Sequence, residues 1–417
     1  MRMVPALGKR SGYEALKTSV KPYTLIWSRR AGSGTTLRCH IEGWVVPSKR
    51  FYDLEVPEKT EALGRLIANE NSASDLLAFL FERDPAPLVR VLGLPDGEYR
   101  VRREGKAARS RFDLVVYRAD RPVAVLELKG ASTEHGDQLD RYRAWAEKHS
   151  AALFYCTLDR GDVPPDPWRA VGLVELYGAW RDSSDPHAAW LGGEIAGLFE
   201  SWDQQAEGVI GESRGWYVPD LVTRRVALDL DRALRERDGQ AEATRTNPGN
   251  PMFLAWRRHP NGDPDAWIGV DVRSEGRKNP AARWLFRPCV QVDVGDGTAV
   301  EARRKAHDLA VALLPALALS AIQRMLTERG RPGLGQALSA NEHGGLAQPA
   351  DAAVLEEFRN GDLSGLHPVF RNDWNRRLAT QLTLDVTRVD RCQLADLTLA
   401  VLDHLVASAR KLVADQG

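Results

Sequence analysis

Apolar residues change their spacing several times along this chain, and each change marks an expected element. Over 59–83 they recur at helical intervals, as Leu63, Leu66 and Ile67 and then Leu76, Leu77, Phe79 and Leu80. Ser72 and Ser74 predict a break that divides this stretch into two short helices, and Pro85 and Pro87 end the second. A period of two then takes over. Residues 98–103 alternate, 112–117 follow as a strand, and 123–128 form the near-continuous apolar run of a buried central strand. Helical spacing returns over 134–149, with Leu139, Tyr142 and Trp145 on one face. Residues 151–157 predict another buried strand and 171–176 one more. The succession helix, three strands, helix, strand describes an α/β core over roughly 60–180.

Downstream, 180–208 reads as helix, and 218–237 as an amphipathic helix carrying Leu221, Val222, Val226, Leu228 and Leu230. The Pro, Asn and Gly of 245–251 predict a turn or linker. Three β-like runs follow at 252–257, 266–272 and 284–294, then helices at 300–329 and 392–415. The Gly-rich, polar stretch 330–345 between them is expected to be a mobile loop. Upstream, 22–57 holds short β-like runs. Its Ala31-Gly-Ser-Gly-Thr35 is a turn signal that lacks the GK[ST] ending of a phosphate loop. The expected organisation is a β-rich extension (1–58), an α/β core with a mixed central sheet (59–214) and a second α/β or α+β domain (215–417).

Composition narrows the function classes. The 417 residues carry 57 basic and 57 acidic side chains, so the molecule as a whole has no field to attract nucleic acid, and any basic surface must be local. The four cysteines, Cys39, Cys156, Cys289 and Cys392, are scattered without a CxxC pair, which argues against a structural zinc or disulfide framework and suits a reducing cytoplasm. The first residues lack a secretory apolar region, and no apolar stretch approaches the roughly 18 residues of a membrane span.

The chemistry concentrates at Asp113 and at Glu127-Leu128-Lys129, both in strand-like runs. Unpaired charge there is costly and calls for a reason. Two carboxylates are hard oxygen ligands of the kind Mg2+ takes, and the Leu128 backbone carbonyl would add a third. Lys129 follows Glu127 by two and so lies on the same side of its strand. It can orient a water or stabilise charge developing on a phosphate. The plainer reading is that the carboxylates face water at strand ends, or that Glu127 and Lys129 merely pair. Gln138 and Tyr142, four apart, share a helical face that can meet a phosphate or the lysine; otherwise Tyr142 is core and Gln138 solvated. Glu70, in Asn69-Glu-Asn-Ser-Ala-Ser-Asp75, offers a third carboxylate acting through water, unless the segment is only a helix cap built on Asn71, Ser72 and Asp75.

Taken together, these residues resemble the PD-(D/E)XK nuclease superfamily with its restriction-endonuclease-like fold, and within it bacterial members having an N-E-x-S-x-S-D-L-L-like helix and a QxxxY helix. The resemblance spans roughly 60–160; Phe112 stands where the motif's proline would precede Asp113. It implies an αβββαβ core, Asp113 and Glu127 as ligands of Mg2+ or Mn2+, Lys129 as the catalytic lysine, Glu70 as the helix carboxylate and Gln138 with Tyr142 as the assisting pair. The function then expected is metal-dependent phosphodiester hydrolysis, with DNA as the favoured partner and a role in restriction or antiphage defence by analogy. A non-cleaving nucleic-acid-binding or assembly component and an RNA nuclease are the alternatives. The second domain is a candidate for homodimer or partner-protein contacts. Weaker features are the basic run Arg100, Arg102, Arg103, Lys106, Arg109 and Arg111, a candidate contact to a nucleic-acid backbone, and His135. Trp256, Trp267, Trp284 and Phe286 are expected to be core rather than a base-stacking platform.

Overall fold

Asn69 separates the first two helices, α1 (Lys59–Ile67) and α2 (Glu70–Arg83), because its side chain accepts from the backbone N–H groups of Asn71 and Ser72. The break therefore falls just before Glu70, and Ser72 and Ser74 lie inside α2. The computed structural model describes residues 59–103, 106–107, 110–129, 138–159, 166–212, 217–247, 249–274, 283–341, 351–361, 367–373 and 376–416. The expectations for 1–58, Arg109 and His135 lie outside them.

After α3 (Ala86–Val91) come β1 (Tyr99–Arg103), a small ribbon of β2 (Lys106–Ala107) and β3 (Ser110–Arg111), β4 (Leu114–Arg118) and β5 (Arg121–Lys129). Helix α4 (Gln138–His149) leads to β6 (Ala152–Thr157) and β7 (Trp168–Gly172). These build a five-stranded mixed sheet in the order β1-β4-β5-β6-β7, antiparallel from β1 to β5 and parallel from β5 to β7. The period of two divides its side chains cleanly. Leu114, Val116, Ala124, Leu126 and Leu128 face α2 in the main core, whereas Val115 and Val125 face a second cluster with Phe112, Tyr142 and Tyr155. Full burial of each leucine contributes roughly 1.5–3 kcal/mol, which offsets the charged groups held at the end of the same strand.

The expected strand at 171–176 is divided instead. Gly172 ends β7 in extended geometry, and α5 (Leu173–Gly178) begins at once, with Leu173, Leu176 and Tyr177 buried at i, i+3, i+4. Next, α6 (Pro186–Glu207) starts with Asp185 as cap and Pro186 in its first turn. Gly192 lets α5 and α6 approach closely, since a Cβ there would stand 2.7 Å from Trp180 Cβ and 2.9 Å from the Tyr177 carbonyl oxygen.

Helix α7 (Val218–Leu234) precedes a second, antiparallel sheet. Its strands are β8 (Gly239–Arg245), β9 (Pro251–Arg258), β10 (Ala266–Ser274) and β11 (Arg283–Val292), followed after α8 (Ala299–Ala312), α9 (Leu314–Leu317), α10 (Leu319–Glu328) and α11 (Pro332–Gln336) by β12 (Leu338–Ala340). Past α12 (Ala352–Asn360), β13 (Arg371–Asp373), β14 (Arg377–Ala379) and β15 (Leu382–Asp385) complete it, and α13 (Arg391–Gln416) ends the described chain. The order is β12-β15-β11-β10-β9-β8, with β14 on β11 and β13 on β14. Two expectations change here. The helix expected over 300–329 is broken at Pro315, and within 330–345 the described residues form α11 and β12 rather than loop. One buried cluster runs from α2 through α6 and α7 to α13, and Pro57–Gly417 is a single compact unit. Among the described residues no helix is long and apolar enough to cross a membrane.

Candidate active site

The C-terminal end of β5 brings Glu127 and Lys129 to one face, as alternation requires, and both are buried, at 1% and 5% exposure. Lys129 Nζ lies 2.8 Å from Glu127 Oε1 and 3.7 Å from Glu70 Oε2. Glu70 is the first residue of α2, where the helix N-terminus favours negative charge. Asp113 sits immediately before β4, and its Oδ2 accepts the Leu128 backbone N–H at 2.8 Å. Because a strand residue directs its N–H and C=O to the same side, the Leu128 carbonyl also faces Asp113. Gln138, the first residue of α4, donates from Nε2 to Glu127 Oε1 (3.1 Å) and to the Tyr142 hydroxyl (2.7 Å). Tyr142 is held in place by Phe112, at a ring distance of 4.5 Å.

Burial dominates the electrostatics. It pushes Asp113 up to about 6, against the Leu128 N–H and the Lys129 charge, which lower it. Glu127 is pushed up to about 8 by burial and then by repulsion from Asp113; the Lys129 ammonium opposes both and does not outweigh them. Burial works the other way on Lys129, but attraction to Glu127 and Glu70 exceeds it, so the amine stays above its ordinary value. An ammonium of that kind is a charge and a proton donor to hydrogen bonds, not a base. The Tyr142 phenol is raised by burial and by Glu127, and stays neutral.

Glu127 Oε2 is buried and has no hydrogen-bond partner. Leaving such an acceptor unmet costs roughly 1–3 kcal/mol or more for a charged group. Two carboxylates that repel one another and a carbonyl on the same side make a set of hard oxygen donors. That set fits a divalent cation held by two side chains, with water completing the shell, the usual manner of Mg2+. Among the described residues no group of three or more His, Cys, Asp or Glu side chains is arranged to hold a metal ion. Glu70 stands at the site beside Lys129, 3.7 Å from its ammonium.

Comparison of the chain with protein-family models, with characterised proteins and with solved structures finds no match.

Two neighbours carry no motif. Arg103, from the basic run, lowers Asp113 by its charge and pairs with Asp75 of α2. Asp159, just past β6, is buried between Arg225 (2.7 Å) and Arg224 (3.5 Å) of α7. Arg224 also reaches toward the Tyr155 hydroxyl at 3.5 Å, which ties α7 to the aromatic cluster beneath Tyr142. An aspartate after an apolar strand is the only sequence signal for it. Of the remaining basic run, Arg100 and Arg102 lie over the Tyr117 ring at 5.4 and 5.3 Å, and Arg100 also pairs with Asp120.

Proposed function

We propose that this protein is a Mg2+- or Mn2+-dependent nuclease of the restriction-endonuclease-like kind, hydrolysing phosphodiester bonds with DNA as its first candidate substrate. The observation that carries the reading is the Glu127 carboxylate. It is buried, pushed up to about 8, and keeps an oxygen without a hydrogen bond beside Asp113 and the Lys129 ammonium. A cation would give that oxygen the partner that Lys129 and Gln138, both on Oε1, do not supply. The order of helix, strands, helix and strand, and the mixed sheet, support the same family reading.

Asp113 and Glu127 would hold the cation, with the Leu128 carbonyl beside them. When bound, such an ion neutralises phosphate charge and lowers the pKa of water. The chain's own residues do the rest. Gln138 fixes the Glu127 carboxylate by its Nε2–H, so that Oε2 keeps one direction. The Lys129 ammonium, charged across the physiological range, orients the attacking water and meets the negative charge that develops on phosphorus-bound oxygen. Glu70, 3.7 Å from Nζ, gives Lys129 a second carboxylate. Tyr142, as a neutral phenol, fixes Gln138.

The test is cleavage by the purified chain of supercoiled, linear and single-stranded DNA and of RNA, with Mg2+, Mn2+ or EDTA. Metal-dependent cutting is expected and should vanish in EDTA. Absence of cutting on every substrate with either metal would overturn the proposal, and cutting confined to RNA would replace the substrate.

A further inference from the structure

The second sheet has one face packed in the core and one that is not, and the four aromatic residues of its strands divide between them by parity. Trp284 and Phe286 are buried at 1% and 0%. Trp256 on β9 and Trp267 on β10 are half-buried on the opposite face, where they line a cavity of about 230 Å3 together with Gln240, Glu242 and Arg377. That is below the roughly 300–1,000 Å3 of drug-sized sites, so the occupant is a single ring-sized group.

Gly269 forms the floor. It is paired across the ladders with Trp256 and Cys289. A Cβ at this position would stand 3.2 Å from Cys289 Sγ and 3.3 Å from the Ala255 carbonyl oxygen, so any side chain would crowd its neighbours and rise into the cavity. Among the described residues the two indoles do not stack on each other, and the space over Gly269 lies open to both. Trp267 is set in place beforehand: its Nε1–H donates to Asp293 (3.0 Å), and Arg258 lies 4.8 Å over its ring. Asp293 also accepts from Gln291, whose carbonyl oxygen accepts from Arg377, itself bonded to Asp271.

The rim on the β8 side has a different character. Glu242 and Gln240 are exposed, line the cavity and, among the described residues, have no hydrogen-bond or ion-pair partner. A carboxylate accepts the exocyclic amine of a base, and an amide both donates and accepts along a base edge. Aromatic side chains on neighbouring strands of an open sheet face are a surface on which bases stack. We propose that this face is a nucleobase-binding site, taking an amine-bearing base over Gly269 between Trp256 and Trp267 with its edge on Glu242 and Gln240. The base comes either from a free nucleotide or from single-stranded nucleic acid. The site is independent of the reading of Asp113 and Glu127.

Calorimetric titration of the whole chain in EDTA, so that no strand is cut, tests it with AMP, CMP, GMP, UMP and a single-stranded deoxycytidine 12-mer as probes. Saturable binding is expected, with CMP preferred over UMP. Trp256→Ala is expected to weaken it about five- to 150-fold, the range for loss of one stacked base. Glu242→Gln, at an exposed position that makes no bond, is expected to bring CMP down to the level of UMP. Mononucleotides binding as well as the 12-mer would assign a free nucleotide, and binding of the 12-mer alone a single strand. No saturable binding by any probe would overturn the proposal, as would binding unchanged in both variants while their thermal melts match the parent.

Discussion

Replacing Glu127 by Gln is expected to stabilise the metal-free protein while removing its function. The folded chain keeps the Glu127 proton up to about 8, whereas an ordinary glutamate gives it up at 4.5. The folded state therefore binds more protons across that window, and stability is full below 4.5 and falls as pH rises toward 8. At about 1.4 kcal/mol per pH unit, ionising Glu127 costs the fold roughly 3 kcal/mol at pH 7 and about 5 kcal/mol above pH 8. The neutral amide of Glu127→Gln avoids this loss, less whatever attraction it no longer returns to Lys129. Asp113, raised to about 6, contributes a slope of the same sign at lower pH, and His259, His367 and His404, lowered by burial, a slope of opposite sign until the unfolded imidazoles have lost their protons, so pH 7.5 to 8.5 is where Glu127 dominates. Urea unfolding in EDTA, followed by circular dichroism, should show the parent losing stability over that range and the variant nearly level. Mg2+ or Mn2+ should then raise the parent's midpoint at pH 8, where cation replaces proton, and leave the variant unmoved. A variant no more stable than the parent at pH 8, with the same slope, would refute the picture of a carboxylate kept at a cost for a ligand.

Gln138→Ala removes the amide that donates to Glu127 and Tyr142; cleavage rate should fall about ten- to 100-fold, with the thermal midpoint little changed. Asp271 is wholly buried and accepts from Arg273, Arg287 and Arg377, so Asp271→Ala should cost about 3–5 kcal/mol in urea unfolding. Gly192→Ala drives a Cβ into Trp180 and the Tyr177 carbonyl; a loss of about 1–3 kcal/mol is expected, and an unchanged midpoint would mean that α5 and α6 are not locked there.

Local periodicity carries far in this chain because both ends of its candidate site obey it. Alternation alone sets Glu127 and Lys129 on one face, and a spacing of four sets Gln138 above Tyr142, as the 2.8 and 2.7 Å contacts reflect. Long-range placement is another matter. Nothing local says that Glu70 meets Lys129, that Arg224 and Arg225 of α7 close on Asp159, or that Asp271 gathers arginines from β10, β11 and β14. Those contacts are set by strand order, which a single sequence leaves open. Elements are hard to read locally where composition and environment disagree. Strand β8, Gly239–Arg245, alternates small Gly and Ala with polar Gln, Glu and Thr but holds no large apolar or buried residue, and its ladder to β9 makes it a strand. Residues 171–176 read as strand because they are largely apolar, but Gly172 ends β7 and caps α5, which begins at Leu173. The Trp256/Trp267 and Trp284/Phe286 pairs differ only in parity, which becomes informative once the register of β9, β10 and β11 is known.

The most direct measurement of the central claim is the single-turnover cleavage rate of the parent beside Asp113→Asn, Glu127→Gln, Lys129→Ala and Glu70→Gln, at saturating Mn2+ and with folding checked for each. Loss of Asp113, Glu127 or Lys129 is expected to lower the rate about 100- to 1,000-fold or more, and loss of Glu70, which acts through Lys129, less. A parent that cuts while Lys129→Ala and Asp113→Asn cut equally well would contradict the account.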